Sequence, residues 1–94
     1  MTAAVIFVEE EYMRIVLLAL LQKISPGGNF IVVSHSGKSD LRRSFPRKIG
    51  AWNHPEDVPF IVLHDNDGGT CTELKAELIK AVPAARLGRT KIRI

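Results

Sequence analysis

Ninety-four residues, 46% of them hydrophobic and 24% charged, make one small globular domain and exclude a disordered or fibrous chain. The formal net charge of +3 permits an anionic partner without requiring one. A single cysteine, Cys71, excludes a disulfide framework and fits a reducing, cytoplasmic interior.

Ala3 to Val8 is a short, unbroken apolar run with Val, Ile and Phe, the pattern of a strand buried on both faces. Glu10 to Lys23 predicts a helix. Tyr12, Ile15, Val16, Ala19, Leu20 and Ile24 fall near helical spacing, and Leu17, Leu18 and Leu21 widen the apolar face, so this helix is expected to be well buried. Between "AAVIFV" and "IVLLALL" lie Glu9, Glu10, Glu11 and Arg14, and no basic segment comes first. That is wrong for a signal peptide, and so short an apolar run cannot cross a bilayer, so no membrane is expected. "SPGG" stops the helix, and "FIVVS", Phe30 to Ser34, predicts a second buried strand leading into the loop "HSGKS".

Asp40 to Trp52 has helical character, but Pro46 and Gly50 interrupt it, predicting two short pieces. "NHPEDVP" is a loop, and Phe60 to Leu63 is a third buried strand. Thr70, with Glu73 three residues on, forms a capping box for a helix from Cys71 to Ala81, stopped by Pro83. "TKIRI" closes the chain as an edge strand with charges on its open face.

The order β-α-β-α-β-α-β implies an α/β domain with a four-stranded, mainly parallel sheet, helices on both faces and right-handed crossovers. In such sheets the binding crevice lies at the carboxyl ends of the strands. Glu9, His35 and Asp65 each fall at or just after such an end, so they can converge.

The acidic group carries the most chemistry. Asp65 and Asp67, one residue apart where a buried strand surfaces, can turn toward one cation together with Glu9. Magnesium prefers hard oxygen ligands and keeps several waters, so two or three carboxylates suffice. A carboxylate held nearby but off the metal serves as a general acid or base. The plainer alternative stands beside it: Asp-Asn-Asp-Gly is common turn chemistry in an exposed loop.

Near-matches fail on specific residues. "DNDGGT" carries one Gly too many for the Asp-x-Asp-Gly-Thr of haloacid-dehalogenase phosphatases, and it belongs on a first strand there. An EF-hand loop needs ligands where Gly69 and Ala76 stand. A response-regulator receiver needs a fifth strand with a lysine. "SHSGKS" has Val32 where a P-loop needs its first glycine, although Lys38 can still lie near the crevice and meet a phosphate.

Lys38 to Lys48 carries Lys38, Arg42, Arg43, Arg47 and Lys48 against Asp40, a basic patch suited to a nucleic-acid backbone or, equally, a solvated helix face. His35, His54, His64 and Cys71 match no zinc spacing. Cys71 reads as a structural thiol, and Trp52 and Tyr12 as packing residues.

Taken together, "VIFVEEEYM", "HSGKSDL" and "FIVLHDNDGGTCTELKAEL" resemble a group of bacterial topoisomerase–primase (TOPRIM)-like proteins, in motif order and over nearly the whole chain. The resemblance implies a three-layer, Rossmannoid domain spanning 1–94. It also implies a Glu after strand one as general acid or base, here Glu9, and an Asp-x-Asp pair after strand three holding Mg2+ or Mn2+, here Asp65 and Asp67. The chain departs from the family in four ways. Glu10 stands where a Gly is usual, Thr70 and Arg14 stand where relatives carry acids, and the chain stops at Ile94, where a helical C-terminal half would begin.

Topoisomerase and primase activities are set aside, because they need a tyrosine-bearing domain and template surfaces absent here. A metal-dependent nuclease needs least, and is the leading expectation. The alternative is a trimmed, non-catalytic domain that binds protein or nucleic acid, as a decoy or inhibitor of a larger machine. Its contact surfaces would be the basic patch and the "TKIRI" edge, which is also able to pair two copies.

Overall fold

The computed structural model describes residues 3–52, 58–64 and 71–94. Four strands, β1 (Ala4–Phe7), β2 (Phe30–Val33), β3 (Phe60–Leu63) and β4 (Thr90–Arg93), form one sheet in the order β2-β1-β3-β4. Every neighbouring pair is parallel, with Ile6 opposite Val32 on one side and Ile61 on the other, and Val62 opposite Ile92. The connecting helices are α1 (Glu11–Ile24), α2 (Lys38–Gly50) and α3 (Cys71–Ala81), followed by a 3-10 turn at Ala84–Arg89.

The strand order dictates the layers. β1 to β2 steps one way across the sheet, while β2 to β3 and β3 to β4 step the other. Right-handed crossovers therefore put α1 on one face and α2 with α3 on the opposite face. The packing agrees. Val5, Phe7, Phe60, Val62 and Ile92 meet Leu41, Phe45 and Ile49 of α2 and Leu78 of α3, whereas Ala4, Ile6, Val8 and Val32 meet Met13, Leu17, Leu18 and Leu21 of α1. This is why β1, β2 and β3 read as unbroken apolar runs, since both faces have something to bury.

Two expectations about the helices are corrected. α2 is one continuous helix with Pro46 inside it. Proline in a helix interior costs about 3 kcal/mol. Phe45 and Ile49, on either side of it, are fully buried, and each such side chain contributes about 1.5–3 kcal/mol. Burial therefore outweighs the lost hydrogen bond, and the helix runs on to Gly50.

α1, in turn, is not well buried, for none of its residues is buried. It is apolar nearly all round. The sheet takes the side bearing Met13, Leu17, Leu18 and Leu21, which leaves Tyr12, Ile15, Val16, Leu20 and Ile24 exposed. Tyr12 is accordingly a surface residue. Trp52 does pack, edge-on to both Phe7 and Phe60 at 6.2 Å between ring centroids. β2 is only half-buried, as an edge strand of the sheet.

Candidate functional site

The carboxyl edge of the sheet is laced by backbone bonds just past the strands. Val8 N–H donates to Val33 C=O, Gly37 N–H to Glu9 C=O and His64 N–H to Arg93 C=O, each at 2.9 Å. β1 and β3 are neighbours with Phe7 opposite Val62, so Glu9 and His64, two residues further on each strand, emerge side by side at this edge. Glu9 is 4% exposed and His64 2%. Gly37 makes the turn from the β2 loop into α2 at φ 92°, ψ −179°, a backbone region essentially closed to other residues.

Two histidines are prominent here: His35, which the sequence places at a strand's carboxyl end beside Glu9, and His64, which it offers only as a weak zinc candidate. His35, 8% exposed, donates Nδ1–H to Val8 C=O at 2.7 Å, which leaves Nε2 to accept from the Lys48 ammonium at 3.2 Å. Burial chiefly, with the Lys48 charge adding to it, pushes the His35 pKa below the usual imidazole value, against the opposing pull of the Val8 carbonyl and Asp40. His35 is thus a neutral ring held at both nitrogens. At the end of β3, Arg42 Nε–H donates to His64 Nε2 at 2.9 Å, so in a neutral His64 the proton sits on Nδ1. One clue lay in the sequence: each histidine closes an apolar run, "FIVVSH" and "FIVLH", where a buried strand meets the crevice.

Asp40, in the first turn of α2, is fully engaged as well. It accepts the Ser36 N–H, the Arg43 guanidinium and the Ser44 hydroxyl, each at 3.0 Å. These partners, the Ser36 bond first, hold its carboxyl down at about 2. Beside the α1 N-terminus, Glu11 is held at about 2 by Arg14 and then by the Ser34 hydroxyl.

Of the basic patch, Arg42, Arg43 and Arg47 are exposed and Lys38 and Lys48 half-buried; Arg42 donates to the His64 imidazole, Lys48 reaches His35, Arg43 pairs with Asp40 and Lys38 opens α2. Glu9 sits where the sequence placed it, at the exit of the central strand. Asp65, Asp67 and the Thr70 cap lie outside the described residues. Among the described residues, no group of three or more His, Cys, Asp or Glu is placed to hold a metal ion.

Compared with protein-family models, curated proteins and solved structures, the chain finds no match. No helix among the described residues is long and apolar enough to cross a membrane.

Proposed function

We propose that this domain carries out metal-dependent phosphodiester chemistry on nucleic acid at the carboxyl edge of its sheet, as a TOPRIM-like nuclease. One observation supports this reading above others. The strand order makes β1 and β3 neighbours, so the buried Glu9 leaves β1 beside His64, the residue immediately before Asp65. The donor chemistry fits a hard cation: Glu9 offers carboxylate oxygen, and Asp65 and Asp67 are the carboxylates that would hold Mg2+ or Mn2+.

The bound ion would polarise a phosphoryl oxygen and acidify a water. Glu9, shielded from bulk water, would hold or release a proton at the attacking or leaving oxygen. Lys38, at the opening of α2, would meet a phosphate, and Arg47 would follow the backbone. His35 and His64, each tied to a cation of α2, fix the floor of the crevice.

A non-catalytic binding module is the second reading. It is favoured by the commitment of Arg42, Arg43 and Lys48 to partners within the domain, which leaves fewer cations for a polyanion. An amide NMR titration with manganese, repeated with magnesium, separates the two. The proposal expects selective broadening around Glu9 and the end of β3, abolished by Asp65→Ala, followed by metal-dependent cleavage of DNA or RNA. Absence of any localised effect up to about several millimolar, generous for a site with few protein ligands, refutes it and leaves the binding module.

A further inference from the structure

α1 is built like a core helix and positioned like a surface one. A helix that is apolar nearly all round normally lies inside a protein. Here Tyr12, Val16, Leu20 and Ile24, spaced four apart along one flank, are all exposed, with Ile24 at 76%. This flank faces a groove of about 250 Å3 between Tyr12, Val16 and Leu20 of the helix and Val8 and Leu63 of the sheet. The groove is the vacant place for a second helix. Two helices cover the opposite face, but on this face no helix among the described residues covers the half of the sheet made by β3 and β4. There Ile61 and Leu63 are only half-buried, and Lys91 and Arg93, opposite them in register, are exposed.

We infer that the groove is filled by α1 of a second copy of this chain, the two helices lying antiparallel in one layer shared between two sheets. The charges along α1 select this arrangement. Glu10 opens the helix and Lys23 closes it, while Glu11 is paired with Arg14 of the same turn. Antiparallel pairing about a two-fold axis sets Tyr12 against Ile24 of the second copy and Val16 against its Leu20, and brings each Lys23 to the opposing acidic turn. α1 runs opposite to its own strands, so the visiting helix runs along β3 and β4. Its acidic first turn then falls toward Lys91 and its apolar stripe lies over Ile61 and Leu63.

Such self-complementarity is what an isologous contact requires. The β4 edge suits a second copy less, because Lys91 and Arg93 of the two chains would meet like charges, a common guard against edge-to-edge pairing. The dimer stands whether or not the crevice holds a metal, since α1's exposed flank contributes nothing to that site.

Sedimentation velocity on the full chain tests this, with NMR or circular dichroism confirming that each variant is folded. The parent is expected at twice its 10.4 kDa mass, dissociating on dilution. Val16→Glu and Leu20→Glu, both at exposed positions that leave the fold intact, are expected to be monomeric. Lys23→Glu is expected to weaken the dimer, and combining it with Glu10→Lys to restore it, the charge reversal that an antiparallel pair of α1 helices requires. A parent that stays monomeric at the highest soluble concentration overturns the inference and gives the groove to another occupant. A dimer that survives Val16→Glu overturns it equally.

Discussion

Gly37 joins the exit of β1 to the start of α2, and replacing it tests whether that joint is conformationally strained for any other residue. A Cβ built at Gly37 has nothing within 4 Å, so Gly37→Ala introduces no clash and isolates the backbone term. Holding an L-residue at this φ and ψ costs about 1–3 kcal/mol. The stiffer unfolded chain returns about 0.4–1 kcal/mol of that, leaving a net loss of about 1–2 kcal/mol.

Escape by rotating the backbone gives no cheaper route. It would break the Gly37 N–H bond to Glu9 C=O at 2.9 Å and the Leu41 N–H bond to Gly37 C=O at 3.1 Å, each worth about 0.5–1.5 kcal/mol. In a domain of this size the melting temperature falls about 4–8 °C per kcal/mol, so the expected drop is about 5–15 °C by circular dichroism. Gly88→Ala is the control. That position also has open space and an ordinary φ, so only the unfolded-state term acts there and its melting temperature is expected to stay level or rise by a few degrees. D-alanine at position 37, introduced by chemical ligation, favours the mirror-image region and should recover the loss. Equal melting of the L- and D-alanine proteins, or an L-alanine protein as stable as the parent, would refute the reasoning.

His35 predicts a pH dependence of stability. Its folded pKa lies below the ordinary 6.5, so between those values the unfolded chain binds more protons than the folded one. The stabilisation is complete above 6.5 and is lost as pH falls through the window. Melting followed from about pH 7.5 to about pH 5.5 should show a decline that His35→Gln shallows; an unchanged slope would remove His35 as a cause. Phe45→Ala, which empties a fully buried site beneath α2, should cost about 3–5 kcal/mol in urea unfolding. A loss no larger than that of an exposed control such as Lys80→Ala would contradict continuous packing across Pro46.

Local chemistry reached most of this architecture. Short apolar runs marked β1, β2 and β3, "SPGG" and Pro83 marked helix ends, and the charges of "TKIRI" marked an edge. Glu9 was legible because the first acid after an apolar run has one place to go, the strand's carboxyl end. What escaped depends on which distant element arrives. Periodicity shows that Tyr12, Val16 and Leu20 share a face of α1, but a helix apolar on several sides does not declare which side meets the sheet. Pro46 counts against a helix until Phe45 and Ile49 are seen to be buried around it. The pairs His64–Arg42 and His35–Lys48 exist only once α2 has crossed over β1, and no spacing along the chain encodes that crossing.

The all-parallel sheet also sets the order in which the chain can commit itself. Ala4 pairs with Phe30, Val5 with Phe60 and Phe60 with Thr90; every ladder closes a long loop, and none begins from a tight hairpin. On a ribosome, β1, α1 and β2 emerge as a half-built sheet. Val5 and Phe7 then have no covering helix until α2 is made, and the second edge of β1 has no neighbour until Phe60–Leu63 follows. Glu9, at the exit of β1, thus emerges ahead of α2 and β3, the elements that enclose it. Loop-closure entropy must be overcome before such distant contacts reward it, so no ladder of this sheet can form from local contacts alone.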